Sequence, residues 1–394
     1  MRQRPGYRLS RRRMLTSACG VALTSGLGLR RLRAQPRRSL RFLTIPDPDG
    51  WHPSLRLKGD WLIFEISDGV LSGHGEASHS RDDAQCQTVA AQLFDRHYRD
   101  LPLTLERLSA KERELAASNP DFVTATALSG LNQAAYELLA KREGVPVWRL
   151  FADRTRIDGV ALYTTINRAL QTRSEAEYLD IVDALVEQGF VTFKCAPFEA
   201  VDGPEHVVEK SAAGLALIDR IRQRYPDLGI RVDFHERFVP ADFFALVPEL
   251  ERLGLDWIEE PFTMGPAYTE LQARSRLRIA AGELFWGATR FAEIAERHWA
   301  HVIMPDVKHV GGFGPLLDVL SSMRGRIEVS PHNPSGPIST AASLHAAALY
   351  PNEVRSLEYA FDRAGTRRRY GEHIEGGVLH LTDAPGWGVD PRGA

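Results

Sequence analysis

The sequence predicts an α/β protein in which a (β/α)-barrel is joined to a smaller α+β unit. After Asp153, short apolar strand patterns alternate with amphipathic helix patterns, and ionisable residues recur near the strand ends. Before Asp153, strand patterns come first and helical patterns follow. Repeated βα units imply parallel strands with right-handed crossovers. Seven or eight such units favour a closed barrel over an open sheet.

The composition is that of an ordinary soluble protein. The chain has 394 residues, of which 43% are hydrophobic and 25% charged, with a net charge of −2. This length allows one large domain and one smaller domain. The near-neutral charge argues against a surface for nucleic acid or for an anionic membrane. Three cysteines, Cys19, Cys86 and Cys195, do not make a disulfide framework.

Residues 1–35 predict a twin-arginine-type export signal. Three arginines within residues 10–15 precede an uncharged stretch over residues 16–29, and a small residue, Ala34, follows. Paired arginines before a short, weakly hydrophobic segment resemble the signals of that route. The segment is too short to span a bilayer. We therefore expect a periplasmic or exported protein without stable membrane insertion; a disordered basic tail on a cytoplasmic protein is the alternative.

Residues 40–153 predict an N-terminal α+β domain. The pattern from residue 39 to 77 is strand, loop, strand, with a β-rich run at 61–67 and a turn at Asp68–Gly69, most simply an antiparallel hairpin. Residues 82–150 have apolar side chains at helical spacing. We expect the C-terminal segment 360–394 to join this domain.

Residues 154–359 predict the barrel. Strands are predicted at residues 159–164, 190–194, 230–233, 257–259, 279–281, 302–304 and 327–330, and the clearest helices at 175–187, 207–224 and 243–253. From about Glu353 we expect the chain to close the barrel.

One ionisable residue stands near the C-terminal end of almost every predicted barrel strand. These residues are Lys194, Asp233, Glu259, Glu283, Asp306, His332 and Glu358. After the first interval, successive members are one βα unit apart. In barrels of this kind, polar residues at the C-terminal strand ends form the active site.

Asp233, Glu259 and Glu283 come from three neighbouring strands. Three carboxylates at one mouth repel one another unless a cation lies between them. Ligation by oxygen alone suits Mg²⁺. The alternative is that each carboxylate caps a helix or pairs with a nearby arginine.

Asp306 and His332 come from the next two strands and form a candidate acid–base pair. A buried aspartate that accepts from one ring nitrogen orients the imidazole and raises its basicity, which makes His332 a plausible general base. Lys194 and Glu358 flank the predicted metal, where they could contact a substrate carboxylate or the charge that develops on it.

Residues 231–237 predict the end of a buried strand. Apolar Val232 and Phe234 alternate with Asp233, His235 and Arg237. Because side chains two apart on a strand share a face, we expect these three polar groups to point the same way. A strand-end salt bridge is the simpler alternative.

These residues carry a resemblance to the enolase superfamily over roughly residues 40–392. Its motifs are Trp-Ile-Glu-Glu-Pro at 257–261, Ala-Gly-Glu at 281–283, Pro-Asp at 305–306 followed by Gly-Gly at 311–312, and Pro-Gly-Trp-Gly-Val at 385–389. The resemblance implies a modified TIM (β/α)7β barrel with an α+β capping domain and Mg²⁺ on the three strand-end acids.

The Asp306–His332 pair resembles the dyad of the mandelate racemase subgroup. The lysine-using subgroup would have a lysine at position 306; Lys308 and His309 are out of step with that position, and we expect them to be structural or peripheral.

Two positions separate racemase from dehydratase within this resemblance. Racemase-type members carry a Lys-x-Lys pair on the second barrel strand, but Ala196 occupies the second lysine position here. The Asp-x-His-x-Arg pattern at 233–237 resembles the galactonate dehydratase group, in which that histidine is the general acid. The loop at 332–337 resembles the same group, whereas residues 195–198 depart from it.

The resemblance therefore implies a carbon–oxygen lyase, a Mg²⁺-dependent dehydratase that converts an aldonate or aldarate into a 2-keto-3-deoxy sugar acid. His332, oriented by Asp306, would remove the C2 proton, and His235 would protonate the departing C3 hydroxyl. Lys194 and Glu358 would stabilise the enediolate. The predicted substrate contacts are Lys194, Arg237, His52 and Trp51.

Two alternatives stay open: a racemase or epimerase of a 2-hydroxy acid with the same metal site, and a non-catalytic exported sugar-acid binder. The capping loop at 73–79 contributes His74 and His79, at least one of which we expect to be a turn residue. We expect a small-molecule sugar-acid substrate, a homo-oligomer and no nucleic-acid partner.

Overall fold

The computed structural model describes residues 37–46, 60–155, 157–201, 203 and 206–393. The predicted export signal and the predicted substrate contacts Trp51 and His52 lie outside these residues. Among the helices within the described ranges, none combines the length and the apolar character that crossing a membrane requires.

The N-terminal part is a three-stranded antiparallel sheet covered by helices. The sheet has the order β1 (Ser39–Ile45), β2 (Trp61–Ser67), β3 (Ser72–Glu76). The helices are α1 (Asp83–Leu93), α2 (Leu105–Ala116) and α3 (Phe122–Glu143). The sequence predicts the β2–β3 hairpin, and β1 adds a third strand to it.

Two glycines let β3 lie directly against α3. A Cβ atom on Gly75 would stand 1.9 Å from the carbonyl oxygen of Gly130, and one on Gly73 would stand 2.2 Å from that of Ala134. No side chain fits at either position, so glycine permits a contact between strand and helix backbones. This contact holds the end of β3 and α3 in one rigid arrangement.

The larger part is a closed (β/α)7β barrel, as the sequence and its resemblance predict. Its strands are β4 (Gly159–Thr165), β5 (Thr192–Cys195), β6 (Gly229–Asp233), β7 (Trp257–Glu259), β8 (Ile279–Ala281), β9 (Val302–Ile303), β10 (Glu328–Val329) and β11 (Leu357–Ala360). Its helices are α4 (Glu175–Glu187), α5 (Val207–Arg224), α6 (Pro240–Arg252), α7 (Ala267–Arg274), α8 (Gly287–Arg297), α9 (Phe313–Ser322) and α10 (Pro337–Leu349). Strands β4 to β10 pair in chain order, and β11 pairs in parallel with β4.

The barrel interior is filled beneath the strand-end acids. Arg231 and Trp257 lie two residues before Asp233 and Glu259 and therefore share their face. The Arg231 guanidinium lies 3.6 Å from the ring centroid of Trp257 and 4.0 Å from that of Tyr163. This buried layer closes the barrel below the mouth.

The C-terminal segment connects the barrel to the capping domain. Its hairpin, β12 (Ile374–Glu375) and β13 (Val378–His380), pairs antiparallel with β4. Further on, Trp387 donates from Nε1 to the carbonyl of His74 at 3.0 Å. The His74 ring lies 3.0 Å from Glu137 and 3.3 Å from Glu65, both buried. His74 therefore belongs to this structural junction.

Candidate active site

The seven strand-end residues predicted from sequence lie around the mouth of the barrel. Lys194 and Glu358 lie on β5 and β11, and Asp233 and Glu259 are the last residues of β6 and β7. Glu283, Asp306 and His332 follow β8, β9 and β10 within three residues. The barrel closure brings all seven together.

Lys194 is the fixed positive charge of this mouth. Its Nζ lies 2.6 Å from Glu259 Oε1, 3.0 Å from Glu358 Oε1 and 3.5 Å from Asp233 Oδ2. Burial by itself lowers the pKa of Lys194, but the carboxylates of Glu259, Glu358 and Asp233 outweigh it and raise that pKa well above its usual value. The ammonium group is therefore charged at neutral pH.

The three predicted metal ligands are close enough to share one ion. Asp233, Glu259 and Glu283 each offer an oxygen, and these atoms lie within 4.8 Å of one another. Glu259 Oε2 is buried without a hydrogen-bond partner among the described residues. Burial and the neighbouring carboxylates, against the effect of Lys194, raise the pKa of Glu259 well above its usual value. Carboxylate oxygens whose combined negative charge is unfavourable without a counter-ion fit a hard divalent cation.

His332 stands between the predicted metal site and Asp306. Its Nδ1 lies 2.7 Å from Asp306 Oδ2, and its Nε2 lies 2.9 Å from Glu283 Oε2. Burial lowers the pKa of His332, but Glu283 and Glu358 raise it more, to well above its usual value. Asp306 thus fixes Nδ1, which leaves Nε2 as the atom directed to the metal ligands.

Lys308 is a member of this cluster that the sequence reasoning missed. It is buried, its Nζ lies 2.5 Å from Asp306 Oδ2, and its backbone N–H donates to Asp306 Oδ1 at 2.7 Å. Burial raises the pKa of Asp306, but Lys308, His309 and His332 reverse this and hold it far below the usual range. Lys308 is therefore not peripheral: it keeps Asp306 ionised.

The segment after β6 does not continue the alternation of side chains that we expected over residues 231–237. The strand ends at Asp233, and His235 and Glu236 adopt left-handed backbone conformations with φ of 48° and 55°. The end of the strand at residue 233 agrees with the strand predicted at 230–233, but the alternation of side chains that we expected to continue to Arg237 does not continue. The chain turns because the backbone N–H of Glu236 donates to the carbonyl of Glu260 at 2.7 Å.

The turn nevertheless returns His235 to Asp233. The His235 Nε2 lies 3.1 Å from Asp233 Oδ2, and its backbone N–H donates to Asp233 Oδ1 at 3.0 Å. The His235 side chain is 30% exposed and that of Asp233 only 3%, so the imidazole covers the outer side of the carboxylate. Burial lowers the pKa of His235, and Asp233 raises it to a value above the usual one.

Arg237 does not join a rim carboxylate. Its Nη1 donates to the carbonyl of Val201, in the loop after β5, at 3.3 Å. The Arg237 guanidinium thus lies against the loop after β5. The predicted contact of Arg237 with the substrate stays a prediction.

Glu260 is a second residue that the sequence reasoning missed. Its Oε1 accepts from the backbone N–H of Gly282 at 2.9 Å and from that of Glu283 at 3.4 Å. Burial and the nearby Glu283 raise the pKa of Glu260 to about 8. Glu260 thus fixes the loop that carries Glu283. Its position directly after Glu259 in the sequence is the signal by which it could have been predicted.

His79 lies where the capping domain meets the loop of Asp306. Its Nε2 is buried, and the described part of the chain supplies no hydrogen-bond partner for it. Burial, and then the positive charges of Arg168 and Lys308, lower the pKa of His79 well below its usual value. The capping domain therefore presents a neutral imidazole on this side, whereas His74 is structural.

Comparison with known proteins places this site in a family. The family model described as "Enolase C-terminal domain-like" matches residues 177–394. D-galactonate dehydratase from Klebsiella pneumoniae is 26% identical over 351 residues, which cover 85% of this chain and 90% of that protein. D-galactonate dehydratase from Verminephrobacter eiseniae is 30% identical over 280 residues, covering 67% of this chain and 71% of that protein.

Solved structures share the fold. An enolase from Agrobacterium radiobacter with bound Na and L-malate, a candidate galactarate dehydratase, has a TM-score of 0.75 at 24% identity over 90% of this chain and 92% of that one. An enolase from Pantoea ananatis with bound D-gluconate and Mg has a TM-score of 0.74 at 19% identity over 89% and 91%. A mandelate racemase/muconate lactonizing enzyme-like protein from Roseovarius has a TM-score of 0.78 at 22% identity over 90% and 92%.

Proposed function

The chain belongs to the enolase superfamily, and from this premise we propose that it is a carbon–oxygen lyase that dehydrates a sugar acid. The substrate would be an aldonate or aldarate and the product a 2-keto-3-deoxy sugar acid. Relatives named D-galactonate dehydratase, which this chain matches over most of its length, support the reaction class.

One observation supports dehydration above the alternatives: a histidine from each of two strands contacts a different carboxylate of the metal site. His332, after β10, lies 2.9 Å from Glu283, and His235, after β6, lies 3.1 Å from Asp233. When the C2 proton and the C3 hydroxyl leave from opposite faces of the substrate, the base and the acid must be separate groups. The two imidazoles meet that requirement.

Asp233, Glu259 and Glu283 would hold Mg²⁺. When bound, the ion would act as a Lewis acid for the substrate's carboxylate, whose α-proton is otherwise too weakly acidic for an imidazole base. Glu259 Oε2, which is buried and has no hydrogen-bond partner in the described part of the chain, supports this assignment. Because Lys194 carries a fixed charge beside Glu259 and Glu358, it would stabilise the negative charge that spreads from C2 onto the substrate carboxylate.

The chain's own residues then divide the proton transfers. His332 takes the C2 proton on Nε2, while Asp306 holds Nδ1 and stabilises the imidazolium that forms. His235 donates a proton to the C3 hydroxyl, which leaves as water when the C3–O bond breaks. The resulting enol tautomerises to the 2-keto acid. After one turnover, His332 carries one extra proton and His235 lacks one. His332 then releases a proton to the medium and His235 takes one up, so the net proton change over the cycle is zero.

Ala196 weakens the racemase alternative. It stands on the β5 side of the mouth, two residues after Lys194, where a racemase-type member would carry a second lysine. A methyl group cannot exchange a proton, so that face lacks the second base of a two-base transfer. An epimerase would need another group there.

The test is a screen of aldonates and aldarates with Mg²⁺ in D₂O, with detection of 2-keto acid and of deuterium at C2. Galactonate, gluconate and galactarate are the first substrates. We expect Mg²⁺-dependent formation of 2-keto acid that EDTA abolishes. If deuterium enters at C2 and no 2-keto acid forms, the dehydratase proposal is wrong and epimerisation takes its place. Ligand-induced thermal stabilisation without any turnover would point to a binder, and fractionation of the source cells would test export.

A further inference from the structure

Glu76 connects the capping domain to the loop that carries His332. It is the last residue of β3 and is fully buried. Its Oε1 accepts from the backbone N–H of Gly336 at 2.8 Å, and its Oε2 accepts from that of Ser339 at 3.0 Å. The hydroxyl of Ser78 donates to Oε1 at 2.8 Å. One carboxylate of the cap thus fixes the end of the His332 loop and the first turn of α10.

This loop has few backbone bonds of its own. Residues 331–336 lack regular structure, and prolines at 331, 334 and 337 supply no N–H groups. Asn333 anchors the loop to the barrel, since its N–H donates to Glu358 Oε2 at 3.0 Å. Glu76 supplies the corresponding anchor from the cap.

Gln133 of α3 extends the same connection to the loop of Asp306. Its side chain pairs with the backbone of Glu76: Nε2 donates to the Glu76 carbonyl at 3.0 Å, and the Glu76 N–H donates to Oε1 at 3.2 Å. The same Nε2 lies 3.3 Å from the carbonyl of Val307, which directly follows Asp306. Glu76 and Gln133 therefore contact each other. Glu76 also contacts the loop that carries His332, and Gln133 contacts the loop that carries Asp306.

A polar row on α3 continues this contact. Thr126 Oγ1 lies 2.9 Å from His309 Nδ1, Ser129 Oγ accepts from Gly311 N–H at 2.9 Å, and Asn132 Oδ1 accepts from Phe313 N–H at 2.8 Å. Residues three apart on a helix share a face. One face of α3 thus carries the whole segment that follows Asp306.

We propose that Glu76 and Gln133 are positioning residues for the Asp306–His332 dyad, so that the capping domain fixes the geometry of the base. The kinetic part of this proposal rests on the proposed dehydratase function. A displacement of about 1 Å in such a pair lowers turnover by about 100-fold even when the altered residue does not touch the substrate. The cap is then part of the catalytic framework.

The test compares Glu76→Gln with a matched control, Glu137→Gln. Glu137 is also a fully buried glutamate of the cap, and it accepts from the backbone N–H groups of His74 and Trp387 at 2.6 and 3.2 Å. It anchors the C-terminal segment and not a dyad loop. Each change keeps the side-chain volume and turns one acceptor into a donor that faces a backbone N–H.

We expect Glu76→Gln to lower kcat by about 100-fold with KM within about threefold. Hydrogen–deuterium exchange should become faster in residues 330–340 of that variant. Glu137→Gln should keep wild-type kcat and should show faster exchange near residues 385–392. The conservative Glu76→Asp variant keeps two acceptors and should recover part of the turnover.

Equal kcat and equal exchange at 330–340 in Glu76→Gln and wild type would overturn the proposal. If Glu76→Gln does not fold, Gln133→Met takes its place, and unchanged exchange at residues 306–313 and unchanged kcat in that variant would likewise overturn it. If the wild-type protein turns over no sugar acid, the proposed function fails, while the exchange comparison still decides whether the cap positions the two loops.

Discussion

Replacement of Lys308 by methionine tests the assignment of this lysine to the dyad. Both Lys308 and Asp306 are fully buried, and their charged atoms lie 2.5 Å apart. Removal of one partner of a buried ion pair costs about 3–5 kcal/mol because the other charge stays behind. Asp306 retains the Lys308 N–H and His332 as donors, so we expect the low end, about 3 kcal/mol.

The measurement is a double-mutant cycle with Asp306→Asn. In the Asp306→Asn background, Lys308→Met removes an ammonium group that has lost its partner, so it should be neutral or stabilising. Urea unfolding of the four proteins, followed by circular dichroism and by fluorescence, gives the coupling free energy. We expect about 3 kcal/mol; a coupling below about 0.5 kcal/mol would refute the role of Lys308.

Three further predictions address the metal site, the response to acid and the cap. Burial and the neighbouring carboxylates raise the pKa of Glu259 above its usual value. Mg²⁺ binding, which favours the ionised carboxylates, should therefore release protons and tighten as pH rises. Calorimetry in two buffers that shows no release would contradict this. Burial lowers the pKa of His345 to about 4, so between pH 6.5 and 4 the unfolded chain binds a proton that the native chain does not. About 3 kcal/mol of unfolding free energy should therefore be lost as pH falls from 6.5 to 4. If the unfolding free energy of His345→Gln depends on pH in the same way as that of the wild type, this account is contradicted. Gly75→Ala should lower the unfolding free energy by about 3 kcal/mol because the new Cβ would meet the backbone of Gly130. Gly265→Ala should change it by less than about 0.5 kcal/mol, because a Cβ there would meet none of the described residues beyond its chain neighbours within 4 Å. Similar values for both variants would contradict the close approach of β3 and α3.

The barrel and the mouth residues could be predicted because they depend on local patterns. Parallel strands place their C-terminal ends at one mouth, so ionisable residues one βα unit apart, such as Asp233 and Glu259, had to be neighbours. The β7 strand, Trp257–Glu259, has the predicted bounds for the same reason. Apolar runs between turn signals and helices fix such elements without knowledge of distant contacts.

Features that depend on distant contacts could not be predicted. The chain turns after Asp233 because the carbonyl of Glu260, the residue that follows β7, accepts from the N–H of Glu236. The alternation of side chains along the strand gives no sign of this bond. The chain turns after Asp306, so that both the N–H and the Nζ of Lys308 contact the Asp306 carboxylate. A count of positions from the strand end does not show this turn, and it therefore indicated that Lys308 is out of step with position 306. The contact of Glu76 with Gly336 joins residues 260 positions apart, and no local pattern links them.

The most direct measurement of the proposed function compares His235→Asn with His332→Asn in D₂O, with a substrate that the wild-type protein dehydrates. If His235 is the acid and His332 the base, His235→Asn should still exchange the C2 proton of the substrate while it forms no 2-keto acid. His332→Asn should do neither. Full dehydration by His235→Asn would contradict the assignment of the acid, and C2 exchange by His332→Asn would contradict that of the base.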